Sequence, residues 1–150
     1  MRKYALCLLC LLGIFNAHAQ SATDSVKACI DGLFRAMKDA DSSALLNCFA
    51  PGAILQTIKN NQGSTTVKTE AVQEFAAAIG KLAKGVADER IRYDVVKTDD
   101  QLAVAWTPYR FYYQGKFSHC GVNAFQLVRL QGGWKIQYII DTRRKTGCVE

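Results

Sequence analysis

The chain is 150 residues long and 49% apolar, with 19 basic residues against 13 acidic ones and a net charge of +6. That is the size of one domain able to bury its own core without depending on disulfides. The positive charge is mild and dispersed, with one short cluster at Arg143-Arg144-Lys145; a nucleic-acid binder gathers such charge into a stripe, so nucleic acid is not expected as a partner and the cluster reads as a solvated tail.

The first twenty residues, MRKYALCLLCLLGIFNAHAQ, join a basic start (Arg2, Lys3) to an apolar run and the small-x-small triplet Ala17-His18-Ala19. This is the pattern of a cleaved secretory signal over residues 1–19. The run is shorter than the roughly 20 residues of a spanning helix. The expected product is residues 20–150, a single periplasmic or secreted domain with no membrane insertion after cleavage. Losing Arg2 and Lys3 leaves 17 basic residues against 13 acidic ones, a charge of +4. Six cysteines become four, and the redox-like pair Cys7 and Cys10 leaves with the signal.

From Asp24, apolar residues Val26, Cys29, Ile30, Leu33, Phe34 and Met37 recur at helical spacing behind the capping candidates Thr23 and Asp24. A short second helix is predicted through Leu45, Leu46 and Phe49, ending at Pro51-Gly52. A strand over 53–58 follows, then a polar turn at 60–64. A third helix is predicted over 66–84, ended by Gly85. The remainder reads as four strands, over 91–97, 102–113, 117–130 and 134–142, joined by tight turns into an antiparallel meander. Helices first and strands after is an α+β arrangement.

The segment WTPYRFYYQGKFSHCGVNAFQLVRLQGGWKIQYIIDTRR, above all the hairpin FQLVRLQGGWKI, resembles the nuclear transport factor 2-like superfamily, and within it the SnoaL-like and lumazine-binding-like bacterial proteins. The resemblance implies a cone-shaped α+β fold, a curved antiparallel sheet wrapped around N-terminal helices. Ketosteroid isomerases, scytalone dehydratases, epoxide hydrolases, polyketide cyclases and non-catalytic binders share that fold, so it implies no single activity. It also implies that a homodimer is common.

Counting back from two-residue turns gives the expected register. One face should carry Val95, Val104, Phe125 and Ile140, then Tyr93, Trp106, Asn123 and Thr142, with His119, Arg110 and Tyr112 beyond. This greasier face should line the cone. Asp94, Ala105, Ala124 and Asp141 should face out, beside Arg92, Thr107, Val122 and Arg143. His119 and Cys120 then point to opposite faces and cannot act together. A metal site is not expected, because His119 is the one histidine left after signal removal; no cofactor is expected either.

Tyr93, Trp106, His119 and Asn123 are the expected ligand contacts: two aromatic walls, a titratable group and an orienting amide. A small, largely apolar or aromatic ligand is the expected partner. The enzyme alternative is an isomerase, dehydratase or hydrolase using a His119–Asp141 dyad. It requires a β-bulge near Pro108, Gly121 or the Gly132-Gly133 turn to bring Asp141 inward. A third alternative is a protein-interaction module that holds no ligand. Of the cysteines, Cys120 and Cys148 pair if the tail folds back over the sheet, with Cys29–Cys48 as companion bridge.

Overall fold

The computed structural model describes residues 21–61 and 63–148; the expected signal segment lies outside the described residues. Helix α1 spans Ala22–Lys38. Ser21 caps it: its hydroxyl accepts from the Asp24 amide at 3.0 Å and donates to the Asp24 carboxylate at 2.7 Å, answering an otherwise unpaired donor of the first turn. Val26, Ile30, Leu33 and Met37 form its buried stripe. Ala40, at φ 55°, turns the chain, and Asp41 caps α2 (Ser42–Asn47) through the Ala44 amide at 2.9 Å.

Strands β1 (Phe49–Asn61) and β2 (Ser64–Glu70) form a hairpin, followed by α3 (Val72–Ile79). The expected long third helix is therefore corrected. Its first part, Thr66 to Glu70, belongs to strand β2, because Thr65, Thr66, Val67 and Thr69 are β-branched and extend the β1 ladder. The helix also ends earlier, at Gly80 rather than Gly85. Phe49 begins β1 instead of closing α2.

Strands β3 (Ala87–Ile91), β4 (Val95–Asp99), β5 (Leu102–Tyr113), β6 (Lys116–Leu130) and β7 (Gly133–Thr142) complete one seven-stranded sheet. Its order is β2-β1-β7-β6-β5-β3, with β4 also on β5. All pairs are antiparallel except β1 with β7, which is parallel. The helices pack against one face, and Phe125 lies at the centre of the core, edge to face with Phe34 at 6.2 Å between rings.

Two irregularities decide which side chains face that core. Phe111 pairs His119, but Tyr112 pairs Phe117, so Ser118 is an extra residue on β6. Gln126 pairs Tyr138, but Leu127 pairs Ile136, so Gln137 is an extra residue on β7. Each bulge slips the register by one and reverses the faces of the strand beyond it. Strand β6 keeps its expected facing, with Asn123, Phe125 and Leu127 inward. Strands β5 and β7 are inverted. Ala105, Thr107, Tyr109 and Asp141 are buried, whereas Val104 and Trp106 open onto the outer face with Val95, Tyr138 and Ile140. The β4–β5 turn is also two residues from the expected place, with Asp99 opposite Leu102; an even slip adds no further reversal, so β4 is inverted with β5 and Val95 faces out beside Trp106.

The tail does fold back: Cys120 and Cys148 are disulfide-bonded, and Cys120 and Arg144 exchange backbone hydrogen bonds at 2.8 Å. Cys29 and Cys48 are free thiols, so the expected companion bridge is corrected; the Cys29 thiol instead lies 3.8 Å from the Cys48 carbonyl. Gly121 makes the crossing of the tail feasible. A Cβ there would stand 1.7 Å from the Thr142 carbonyl oxygen, which leaves no room even for alanine.

Candidate functional site

Between the helices and the inner face of the sheet lies a cavity of about 170 Å³. Its apolar walls are Leu33, Phe34 and Met37 of α1, Phe75 and Ile79 of α3, and Leu55, Phe111, Phe125 and Ile139 of the sheet. Polar groups converge on one side: Thr57 from β1, Glu70 from β2, Glu89 from β3, Tyr109 from β5, His119 and Asn123 from β6, and Asp141 and Arg143 from the end of β7.

Asp141 is the hub of this polar side. Its Oδ1 accepts from the Thr57 hydroxyl at 2.6 Å, and its Oδ2 from Arg143 Nε at 2.8 Å. The Tyr109 hydroxyl is shared between Asp141 Oδ2 at 3.3 Å and the Thr142 carbonyl at 2.9 Å. Arg143 also donates to Thr57 Oγ1 at 3.1 Å. Three strands are thus fastened through one carboxylate, both of whose oxygens are engaged. The residue beyond the sheet, expected in a solvated basic tail, is instead built into the cavity wall.

Glu89 is different. Its Oε1 accepts from Asn123 Nδ2 at 2.8 Å, while Oε2 receives no protein hydrogen bond among the described residues. Burial pushes its carboxyl up to about 7, the Asn123 hydrogen bond and Arg143 opposing that rise and the neighbouring Asp141 adding to it. His119 is shifted the other way. Burial lowers its pKa, Arg143 lowers it further and Asp141 works against both, so the neutral imidazole is favoured. Its ring packs on Tyr109 and Phe111 at 5.7 and 5.0 Å, and Nδ1 lies 3.1 Å from the Ser118 hydroxyl.

Of the expected ligand contacts, His119 and Asn123 line the cavity, and Tyr93 and Trp106 do not. Trp106 is 48% exposed on the outer face, moved there by the slip at Ser118. Tyr93 packs against the core, but its hydroxyl is held by α1, at 2.7 Å from Asp31 Oδ1 and 3.1 Å from the Lys27 carbonyl. Asp141, expected outside, is inside. It shares the cavity with His119, yet its oxygens bond to Thr57, Tyr109 and Arg143 rather than to the imidazole. Glu89 was not among the expected site residues, because the strand that carries it was placed four residues later. Its signal was the alternation of Ala87, Glu89 and Ile91 after Gly85, which puts a lone acid on an apolar face.

The sign of the pH effect follows from Glu89. Its native carboxyl binds a proton more tightly than the unfolded one, whose ordinary value is 4.5. The associated stabilisation is complete below that value and is lost as pH rises through about 7. The urea midpoint of the wild-type protein, relative to that of Glu89→Gln, is therefore expected to fall between about pH 5 and about pH 8. Taking the difference removes the opposing titration of His119. A difference that stays flat over this range would contradict the placement of Glu89.

No family model matches the sequence, and no curated protein matches it. Solved structures do. An NTF2-like protein with a cystatin-like fold from Novosphingobium aromaticivorans is 13% identical, with a TM-score of 0.64 over 83% of this chain and 82% of that one. An NTF2-like protein of unknown function from Shewanella baltica is 12% identical, with a TM-score of 0.63 over 81% and 93%. A domain of unknown function with a cystatin-like fold from Nostoc punctiforme is 18% identical, with a TM-score of 0.63 over 86% and 82%. At such identities the likeness is one of fold. The chain has the nuclear transport factor 2-like, cystatin-like fold.

Proposed function

We propose that this is an exported protein that binds a small, largely apolar or aromatic molecule in its cone. The observation that carries the reading is the cavity itself, in which apolar side chains of α1, α3 and the sheet meet a cluster of polar groups from the strands; a concave apolar wall with convergent polar groups is how small-molecule sites are built. Its volume is comparable to that of a dry apolar cavity of about 150 Å³ that accepts benzene, so one ring with a short polar arm is the right scale. Export is supported by the leader-like first 19 residues and by the Cys120–Cys148 bridge, a bond that persists in oxidising compartments.

A second reading, acid–base catalysis, is favoured by one observation. Glu89 has a pKa near neutrality inside the cavity, as a group that both takes and gives protons requires. That reading runs through Glu89 and not through a His119–Asp141 dyad. Exchange of deuterium from solvent into an enolisable ketone such as phenylacetone checks it. Exchange catalysed by the wild type and lost in Glu89→Gln supports it, and no catalysed exchange rules it out for this class of carbon acid.

Binding is checked with phenethyl alcohol, a neutral one-ring probe, by ligand-observed NMR. Saturable binding is expected in the wild type and its loss in Leu55→Trp, which fills the cavity from its wall. Equal binding by both proteins would place the probe elsewhere.

We also propose that the outer face is the contact of a homodimer. Trp106, half exposed, forms one wall of an apolar recess of about 480 Å³ there, with Val104, Ala124, Tyr138 and Ile140. A knob next to a recess on one surface can be satisfied by a two-fold related copy of itself. Sedimentation equilibrium is expected to give a dimer for the wild type and a monomer for Trp106→Glu; a wild-type monomer would refute the contact.

A further inference from the structure

The cavity is unusual in its charge. Three carboxyls line it, Glu70, Glu89 and Asp141, against one guanidinium, that of Arg143. Arg143 is committed, bonded to Asp141 at 2.8 Å and to Thr57 at 3.1 Å. Burial and the nearby Arg143 lower the pKa of His119, which disfavours a positive charge on its ring. Among the described residues no cation pairs with Glu89 or Glu70. The chain as a whole is positive, at +6, so the negative interior is a local property.

Glu89 has the geometry of a half-finished contact. Asn123 occupies Oε1, and Glu89, paired across the sheet with Phe111, lines the same cavity as Phe34, Phe75 and Phe125. A carboxylate beside aromatic faces attracts cations on two counts, through the charge itself and through the negative ring faces. A neutral guest leaves the carboxylate unpaired in an apolar setting, and an anionic one adds repulsion to that cost. We propose that the cone selects a small amine, its ammonium seated on Glu89 and its aromatic or similarly sized apolar body among the phenylalanines.

This inference rests on the small-ligand reading above and adds the charge of the guest. Glu89 must give up its proton to receive an ammonium, so capture is coupled to pH. The groups around it are Asn123 and His119 from β6, Asp141 and Arg143 from β7, Tyr109 from β5 and Glu70 from β2. The Tyr109 hydroxyl, raised by burial and by Glu89 and Asp141, stays protonated in the relevant range. A simple aliphatic amine remains charged throughout it. The carboxyl that titrates near 7 is thus the one that controls binding.

The test uses three probes of like size, phenethylamine, phenethyl alcohol and phenylacetate, titrated calorimetrically into the folded protein. At about pH 8 the amine is expected to bind at least about tenfold tighter than the alcohol, and phenylacetate weaker than either. From about pH 8 to about pH 6 the amine should weaken about tenfold as Glu89 is protonated, while the alcohol changes little. Glu89→Gln should abolish the preference for the amine over the alcohol. The pH series on the wild type gives the same answer without any variant. Equal affinity for amine and alcohol, or tightest binding of phenylacetate, would overturn the amine inference and leave the small-ligand reading intact. Binding of none of the three would overturn both.

Discussion

One residue, Ser118, sets the facing of half the sheet. Strand β6 is long and central, and it must satisfy β5 on one side and β7 on the other. With Ser118 bulged out on the first side, and Gln137 of β7 on the second, Ala105, Tyr109 and Asp141 all turn toward the helices. Without those two slips the same residues would face water, and Trp106 would turn toward the helices. The strand bend that a bulge brings also helps the sheet to curve around α1 and α3.

The site follows from that facing. Several ionisable groups are brought to one end of an apolar cone, and the structure treats them unequally. Asp141 is given a hydroxyl, a guanidinium and a phenol, so its charge is satisfied by β1, β5 and its own strand. Glu89 is given only one amide. A carboxyl with so little compensation keeps its proton to a higher pH, and that leaves it free to respond to whatever enters. A group left under-bonded in a folded protein costs stability. Its place in the lining of an apolar cavity is the ground on which a guest contact is proposed for it.

Much of this architecture was legible in the sequence. The stripe of α1, the hairpin turn at Gln114-Gly115 and the helices-then-strands order are local signals, and the Cys120–Cys148 bridge was expected on the condition that the tail folds back over the sheet, as it does. The facing of β6 was legible too, because its turn is tight and its apolar alternation is clean. The bulges were not. A single extra residue inside a long apolar strand leaves no mark in composition, and it inverts everything beyond it. Pro108 looked like the place for an irregularity, yet β5 runs through it in register. Strand β2 was misread because Thr66 to Lys84 holds apolar residues at helical intervals only in its second part. Glu89 was missed through a boundary error of four residues.

The central claim is that Glu89 sits in the cone as a carboxyl that titrates near neutrality. Its most direct test is a carbon-13 NMR titration of the glutamate side chains, with Glu89→Gln to assign the resonance. One glutamate carboxyl should titrate at about 7 and be missing from the variant. If every glutamate titrates near the ordinary value of 4.5, Glu89 is solvated, and the account of the cavity fails with it.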